Sequence, residues 1–263
     1  SGIPQQDIPY IFQRFFQSPH SGNKEGTGIG LYLVKTYTEL HGGHINGVTS
    51  NEGKGTSIGL NIPVIFAKAH DIIVIHDTAY SNLVFDGEEG KSFLYYAGAK
   101  DIGIEFNSFS KTYGMAGARI GICVGNAEIV GILRKLKSNI DYGMFLPIQK
   151  AAIAALTQEQ SIVKETRETY QRRRNRIVAG VAAAGWHIAS CKSTMFLWAQ
   201  IPEGYGSSEE FALNLLKCSG MLVTPGSSFG AYGEGFVRIA LVQSDEVIEQ
   251  ALQALKESRF FLK

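Results

Sequence analysis

The chain has 263 residues, 44% of them hydrophobic, and a formal net charge of +1 at pH 7. That length and composition allow a large core in one or two domains. The balanced charge argues against nucleic acid or an anionic membrane as the main partner. The apolar stretches are too short for a membrane span and no leader pattern opens the sequence, so we expect a soluble protein with no membrane partner.

The first 65 residues contain short elements separated by glycines. The pattern predicts a short helix over residues 8–16, a glycine loop over 22–30, a helix over 31–40 and a hairpin over 44–63 that turns at 52–55.

Longer elements follow residue 65. We predict buried strands over residues 72–76, 103–106 and 120–124, a helix over 128–138, and a long helix over 159–184 that ends at Gly185. Three consecutive arginines, Arg172 to Arg174, lie on the long helix and are interpreted as a solvated face. Strands over 195–199 and 236–241 then alternate with helices over 208–218 and 245–256, which predicts an α/β arrangement with its own small core.

The three cysteines, Cys123, Cys191 and Cys218, are widely spaced among apolar neighbours. This pattern favours buried structural thiols over a metal site, and it fits a reduced, cytoplasmic setting. We therefore expect no metal ion.

One lysine stands among groups that bind phosphate. In residues 107–121, which read NSFSKTYGMAGARIG, the hydroxyls of Ser108 and Ser110 precede Lys111, and Arg119 follows it. Hydroxyls and a guanidinium form a phosphate cradle, with the arginine giving a planar, bidentate contact. A lysine beside such a cradle can form a Schiff base with an aldehyde whose phosphate is held there.

Further polar groups complete the pattern. Asp77 ends an apolar strand, where its carboxylate can pair with a pyridinium nitrogen, and Tyr80 in the same turn can donate to a phenolic oxygen. Arg238 stands in the apolar strand 236–241, where a charge needs a partner such as a substrate carboxylate. Each residue alone is more often a surface loop, a cap or a structural ion pair, but their joint order favours a site.

From about residue 66 to its end, the chain resembles the carboxyl-terminal half of a fold-type I, class I/II aminotransferase. The resemblance rests on Asp77-Thr78-Ala79-Tyr80, on Ser108-Phe109-Ser110-Lys111, on Arg119 and on Arg238. It implies pyridoxal phosphate bound as an imine to Lys111, amino-acid and keto-acid substrates, and a homodimer. The implied roles are Asp77 at the ring nitrogen, Tyr80 at the phenolic oxygen, Ser108, Ser110 and Arg119 at the phosphate, and Arg238 at the substrate α-carboxylate.

The same family has a first half that supplies a loop over the phosphate, an aromatic that stacks on the ring, and an asparagine beside the phenolic oxygen. We find no aminotransferase-like sequence before Phe66, so we expect about half of that site and weak or absent turnover.

Residues 3–63 resemble the end of a histidine-kinase ATPase domain of the GHKL type. The resemblance rests on Ser1-Gly2-Ile3-Pro4, Ile11-Phe12-Gln13-Arg14-Phe15, Gly26-Thr27-Gly28-Ile29-Gly30-Leu31 and Gly53-Lys54-Gly55-Thr56. A glycine loop that enters a helix holds triphosphate in that family. Its magnesium-binding asparagine helix and its adenine-reading aspartate have no counterpart in the sequence, so we expect neither ATP nor magnesium to bind.

The resulting fold prediction is α/β, with three parts. Residues 1–65 form a kinase ATPase-like α+β segment, 66–158 a partial large-domain sheet of aminotransferase type, and 159–263 a connecting helix and a small α/β domain. Two hypotheses remain open: a pyridoxal-phosphate aminotransferase, and a non-catalytic chimera, natural or artificial, built from the two fragments.

Overall fold

The computed structural model describes residues 2–19, 27–40, 42–51, 55–61 and 64–261. Part of the predicted glycine loop (22–26) and most of the predicted hairpin turn (52–54) lie outside these residues. The described chain has the mixed α/β character that the sequence predicts. Within the described ranges, no helix combines the length and apolar character that a membrane crossing needs.

Helices and strands alternate along most of the chain. The helices are α1 Gly30–Leu40, α2 Val64–Ala69, α3 Ala99–Ile102, α4 Phe109–Thr112, α5 Ala127–Ile140, α6 Leu146–Thr157, α7 Ser161–Ala183, α8 Ser208–Ser219 and α9 Asp245–Ser258. The strands are β1 His44–Asn51, β2 Gly55–Asn61, β3 Val74–Asp77, β4 Gly103–Ser108, β5 Gly121–Gly125, β6 Phe196–Gln200, β7 Thr224–Pro225 and β8 Phe236–Ala240. The predicted helix over residues 8–16 is wrong, because only a 3-10 helix over Ile8–Tyr10 forms there and turns follow it. We did not predict α2, α6 or the four-residue α3 and α4, and the other predicted helices and strands match the observed ones to within a few residues.

The strands form three sheets, with orders β1-β2, β3-β4-β5 and β6-β8-β7. By its contacts the chain divides into two compact units. The first comprises Ser1–His76, Phe93–Glu105 and Val124–Leu133, and the second comprises Asp77–Ser92, Phe106–Cys123 and Arg134–Lys263. The three-part domain division made from the sequence stays a prediction.

The first unit contains the β1-β2 hairpin, whose antiparallel register runs from the His44 and Asn61 pair to the Asn51 and Gly55 pair. The glycine loop is described from residue 27 onward. There the Gly28 carbonyl accepts a hydrogen bond from the Phe15 backbone N–H at 3.0 Å, and a side chain at Gly28 would collide with the Phe15 backbone. Gly28 therefore packs against the preceding turn.

The second unit has a hydrophobic core between one face of the sheet β6-β8-β7 and the helices α7, α8 and α9. Side chains on the inner face of β6 and β8 are nearly or completely buried, as are the helix residues that meet them. The core members include Leu197, Ala199, Val237, Ile239, Val181, Phe211, Leu215, Leu252 and Leu255. The opposite face of this sheet therefore carries the alternate residues of β6 and β8.

Serine side chains cap the amino-terminal ends of two helices of this core. Ser207 accepts a hydrogen bond from the Glu210 backbone N–H at 3.1 Å, and Ser244 accepts one from the Val247 N–H at 3.3 Å. Both serines satisfy amides that a helix start leaves unpaired. The predicted starts at residues 208 and 245 are confirmed for the same reason.

One helix prediction is wrong in part. The arginine run on α7 is not a solvated face, because Arg174 is 3% exposed and its guanidinium makes two short hydrogen bonds with Asp86. Arg172 and Arg173 pair with Asp245, and of the run only Arg172 has a largely exposed side chain. A helix that packs on two neighbours buries part of its polar face as well.

Three burial predictions also fail. No residue of β3 or β5 is buried, and Ile73, Ile75 and Val124 are 58%, 64% and 43% exposed, because the described residues cover the faces of this sheet only in part. Cys218 is exposed, whereas Cys123 and Cys191 are partly buried, because it lies near the end of α8 away from the core residues of that helix.

We predict that Gly180→Ala destabilises the second unit. A methyl group at Gly180 in α7 would lie 2.4 Å from Leu252 Cδ1 of α9. Overpacking costs roughly 1–3 kcal/mol, which outweighs the roughly 1 kcal/mol that alanine gains in helix propensity. Urea unfolding followed by the emission of the buried Trp186 measures the change.

The matched control is the same substitution in a Leu252→Ala background. Removing the leucine opens space for the methyl group, so there Gly180→Ala should be neutral or stabilising. An equal loss of unfolding free energy in both backgrounds would contradict the packing explanation.

Candidate functional site

Lys111 lies in α4, a single helical turn that directly follows β4. Phe109 and Thr112 of this turn are 2% and 3% exposed, so their buried side chains anchor the turn. Lys111 is half-buried. Phe109 packs with Ile120 and Ala152 in a small separate core. The backbone under the lysine is therefore held by packing rather than by the lysine itself.

The predicted phosphate ligands are only partly brought together. Ser108 caps the turn, its hydroxyl oxygen accepting from the Ser110 backbone N–H at 3.2 Å. Arg119 has a left-handed backbone (φ 53°), is exposed, and donates from Nη1 to the Ala116 carbonyl at 3.1 Å. The hydrogen bond that Arg119 makes is thus with its own turn and not with either serine.

The end of β3 is joined to the end of β4 by a short polar network. Thr78 donates from its backbone N–H and its hydroxyl to the Phe106 carbonyl, at 2.9 and 2.8 Å. At the other end of these strands, a side chain at Gly103 would collide with the Val74 carbonyl oxygen. The two strands therefore run in the same direction, and their carboxyl ends lie together.

Asn107 extends this network toward Tyr80. Its Nδ2 lies 3.3 Å from both the Thr78 and the Ser81 hydroxyl oxygens, and its Oδ1 accepts from the Ser108 N–H at 2.8 Å. A single amide therefore joins the turn that carries Tyr80 to the cap that precedes Lys111. The sequence reading missed Asn107, although it stands next to the Ser108 motif.

Asp77 and Tyr80 lie at this shared end. Asp77 is exposed, and its Oδ1 accepts from the Ala79 backbone N–H at 3.3 Å. The Tyr80 ring lies near the lysine, with Lys111 Nζ 5.7 Å from its centre. The geometry thus places the predicted ring-oxygen donor beside the predicted Schiff-base lysine.

Arg238 lies on the outer face of the sheet β6-β8-β7, opposite Trp198 in the antiparallel register. Its guanidinium carbon is 4.4 Å from the centre of the Phe196 ring and 4.6 Å from that of Phe229. Two aromatic rings therefore flank the cation, an arrangement that favours both stacking and cation–π contact.

Arg238 also has an unsatisfied donor. Its Nε atom is buried and has no hydrogen-bond partner among the described residues. Leaving a buried donor unpaired costs roughly 1–3 kcal/mol, and more for a charged group. A carboxylate ligand would supply acceptors to this guanidinium and relieve that cost.

Four neighbouring side chains form a row, namely Lys111, Tyr80, Phe196 and Arg238. Lys111 faces the Tyr80 ring, the Tyr80 and Phe196 rings lie 6.3 Å apart edge to face, and Phe196 contacts Arg238. An amine, a phenol and a guanidinium are thus connected through one intervening aromatic ring. The sequence reading missed Phe196, Phe229 and Trp198. The alternation of buried and outward residues along β6 could have placed Phe196 and Trp198 on one face.

A close approach of two glycines sets the position of Phe229. A side chain at Gly226 would lie 1.9 Å from the Gly233 carbonyl oxygen, and one at Gly233 would lie 2.0 Å from the Gly226 carbonyl oxygen. Only glycine allows this contact, which closes the segment before β8 and turns Phe229 toward Trp198, at 5.5 Å between ring centres.

The donor set fits the pyridoxal phosphate that the resemblance implies. A lysine amine, a neighbouring phenol, serine hydroxyls and an exposed carboxylate suit an aldehyde, a phenolic oxygen, a phosphate and a ring nitrogen respectively. The unpaired Arg238 Nε suits a substrate carboxylate. Among the described residues no group of three potential metal ligands occurs.

Two family models match the chain. "Aminotransferase class I and II" matches residues 63–255, and "Histidine kinase-, DNA gyrase B-, and HSP90-like ATPase" matches residues 1–65. Both parts of the resemblance noted in the sequence are confirmed by these matches.

Curated relatives of this chain include two aminotransferases. The chain is 47% identical over 193 residues to an LL-diaminopimelate aminotransferase of Moorella thermoacetica, covering 73% of this chain and 49% of the relative. It is 45% identical over 195 residues to the glutamate-pyruvate aminotransferase AlaC of Escherichia coli, covering 73% and 47%. The chain thus spans about half the length of the curated relatives it matches.

Among solved structures, an aminotransferase from Staphylococcus aureus aligns with a TM-score of 0.67 and 31% identity, over 77% of this chain and 55% of that one. The apo BacF structure from Bacillus subtilis aligns with a TM-score of 0.68 and 35% identity, over 74% and 49%.

We predict that Arg238 binds small carboxylates. In a Trp186→Phe background, Trp198 is the one remaining tryptophan, and its 41% exposed indole lies next to Arg238. Acetate should quench its emission saturably. Arg238→Gln should weaken this binding at least about tenfold, because a charge-assisted hydrogen bond contributes roughly 1.5–3 kcal/mol.

Arg119→Gln serves as the matched control, since it removes an exposed guanidinium that the row does not include. It should leave the acetate affinity unchanged. Equal affinities in the parent and in Arg238→Gln would show that the unpaired guanidinium is not the carboxylate site.

Proposed function

The chain belongs to the class I and II aminotransferase family, and we propose that it binds pyridoxal phosphate and transfers an amino group between an amino acid and a keto acid. The observation that carries the proposal is the row from Lys111 through Tyr80 and Phe196 to Arg238. This row supports the proposal because its aromatic contacts connect a lysine that could hold an aldehyde with a guanidinium whose Nε lacks an acceptor among the described residues.

Each predicted residue has a role in this proposal. Lys111 would hold the cofactor aldehyde through its Nζ, and the same amine would move a proton at the substrate α-carbon. Tyr80 would donate to the phenolic oxygen, and the Asp77 carboxylate would favour a protonated ring nitrogen. When bound, pyridoxal phosphate supplies the electron sink for the reaction.

The remaining contacts orient the bound molecules. Ser108, Ser110 and Arg119 hold the phosphate, the arginine after its side chain leaves the Ala116 carbonyl. Arg238 fixes the α-carboxylate. The relatives named above carry the substrate names LL-diaminopimelate, glutamate and pyruvate, each with a carboxylate beside the reacting carbon, which Arg238 suits.

We further propose that this 263-residue chain alone turns over slowly. Its own predicted contacts to the ring come from Asp77 and Tyr80, both at the carboxyl end of β3, together with the phosphate ligands. A misplacement near 1 Å can cost about a hundredfold in rate. The alternative, a non-catalytic chimera of two fragments, is favoured by the separate match of residues 1–65 to a kinase ATPase family. A cytoplasmic homodimer remains our expectation by family analogy.

Spectroscopy with added pyridoxal phosphate tests the function. We expect a Schiff-base absorbance band, borohydride trapping of the label on Lys111 in peptide maps, and slow loss of the band on addition of amino acid. Lys111→Ala should abolish the band and the label. Arg238→Ala should keep the band but abolish the response to amino acid, because the α-carboxylate loses its ligand.

Label spread over many lysines, or no band at all, would contradict cofactor binding at Lys111. A band that no amino acid discharges would favour the non-catalytic chimera. Fast discharge in Arg238→Ala would contradict the role of the arginine.

For residues 1–65 we propose packing rather than nucleotide binding. Gly28 lies against the backbone of Phe15, so this part of the loop is engaged within the chain. Calorimetric titration with Mg-ATP should show no saturable heat at millimolar nucleotide. A micromolar site would contradict this interpretation.

A further inference from the structure

An ion pair between a buried arginine and a half-exposed aspartate joins α7 to the segment that follows Tyr80. Arg174 donates from Nη1 to Asp86 Oδ2 at 2.7 Å and from Nη2 to Oδ1 at 2.6 Å. Its Nη1 also donates to the Cys191 carbonyl at 2.7 Å, and its Nε to Asn175 Oδ1 at 2.9 Å. The guanidinium is thus held by three groups, with bidentate geometry toward the carboxylate.

Packing fixes the same guanidinium from one side. Its carbon lies 4.9 Å from the centre of the Phe85 ring, and Phe85 is fully buried. Asp86, the other member of the ion pair, donates from its backbone N–H to Oε1 of Gln171 in α7 at 3.0 Å. Residues 85 and 86 are therefore tied to α7 through side chains and backbone together.

The Arg174–Asp86 pair lies at one end of a short ladder of backbone hydrogen bonds. The Phe85 N–H donates to the Lys192 carbonyl at 2.9 Å, and the Thr194 N–H donates to the Leu83 carbonyl at 2.8 Å. Val84 and Ser193 form an isolated antiparallel bridge between them. The ladder therefore joins residues 83–86 to residues 192–194.

Both segments of the ladder contain a residue with a left-handed backbone. Asp86 has φ 61°, which aspartate tolerates, whereas Thr194 has φ 74°, which is a genuine outlier for a β-branched residue. Thr194 Oγ1 accepts from the Phe196 backbone N–H at 3.2 Å. Such strain persists only where the surroundings determine the conformation, and it clusters at functional sites.

The ladder connects the chain segments that carry the two middle members of the row, Tyr80 and Phe196. Leu83 is bonded through its N–H to the Tyr80 carbonyl at 2.9 Å, so Tyr80 lies one turn before the ladder. On the other strand, Phe196 comes two residues after Thr194 and is the ring that contacts both Tyr80 and Arg238. Residues 83–86 therefore link the turn of Tyr80 to the segment that leads into Phe196.

We propose that Arg174 and Asp86 are positioning residues that hold Tyr80 against Phe196 and so set the separation between Lys111 and Arg238. The inference rests on the proposed function of that row. Neither residue contacts the row itself; both act through the ladder at residues 83–86 and 192–194.

The charge state of the pair supports this role. The hydrogen bond from Arg174 lowers the pKa of Asp86 from its ordinary value near 3.8, and the same bond raises the pKa of Arg174. Both groups are thus ionised throughout the neutral range, in which the cofactor chemistry takes place.

Asp86→Asn tests the proposal with little disturbance to the backbone. Asparagine tolerates a positive φ at least as well as aspartate, and the side chain of Asp86 is 52% exposed, so the substitution removes the charge and one acceptor without emptying the core. Arg174→Lys is the second variant, because it keeps the charge but loses the bidentate fork. Far-UV circular dichroism confirms the fold of each variant.

The readout is the pH midpoint at which the Schiff-base absorbance of the full chain with pyridoxal phosphate changes. If Tyr80 donates to the phenolic oxygen, it stabilises the unprotonated form, so Tyr80→Phe should raise the midpoint. Asp86→Asn should raise it too, by about one pH unit, the usual scale of such effects. The double variant should show the midpoint of Tyr80→Phe alone, because both act on one contact.

Asp245→Asn is the matched control. Asp245 lies on α9 and pairs with Arg172 and Arg173, which are on α7 together with Arg174. The substitution removes this pairing but leaves the contacts of the ladder in place. The midpoint should stay at the parent value. A purely structural role for Asp86 would reduce the fraction of protein that binds the cofactor and leave the midpoint of the bound fraction unchanged.

The outcomes separate the two proposals. A parent chain with no Schiff base at Lys111 overturns the proposed function and this inference with it. A parent with the expected band, combined with an unchanged midpoint in folded Asp86→Asn and Arg174→Lys or an additive shift in the double variant, overturns only the positioning role.

Discussion

Burial of one face of the sheet β6-β8-β7 is the constraint on which the candidate site depends. Leu197 and Val237 are completely buried against the helices, so the strand alternation directs Arg238 to the opposite face. A slip of one residue in the pairing would turn the guanidinium into the apolar core and expose its neighbours. The hydrophobic free energy that stabilises this unit therefore also fixes the direction of the Arg238 side chain. The aromatic rings around Arg238 follow from the same register.

What could be predicted from the sequence is mostly local. Serine caps, the glycine after α7 and the period of buried residues mark the ends of most elements. Ser108 and Lys111 lie close together because only two residues stand between them. The partners that the sequence reading missed are distant along the chain. Arg174 and Asp86 are 88 residues apart, so nothing in the local charge pattern distinguishes a solvated arginine from a paired one. Burial of a polar residue is decided by tertiary contacts.

Two other discrepancies have the same origin. The sequence of α6 is apolar around most of its circumference, and such a segment lacks the periodic contrast that indicates an amphipathic helix. Around β3, a run of isoleucines predicts a buried strand, yet Ile73 and Ile75 are exposed, because side chains on a sheet face are buried only where another element covers that face. Composition shows that a segment is apolar enough for a core. Which neighbours cover it depends on the rest of the fold.

The use of an ion pair beside the site has a physical rationale. Hydrophobic contact is non-directional, so an apolar contact in place of Asp86 would hold the segment close to α7 without fixing its orientation. A bidentate guanidinium–carboxylate pair fixes both distance and angle, and additional bonds to Cys191 and Asn175 offset the cost of burying Arg174. Catalytic groups need placement to a fraction of an ångström, whereas global stability does not. Under the positioning proposal, the Arg174–Asp86 pair serves mainly to orient Tyr80. The stability that the pair adds matters less at this place than the orientation of that side chain.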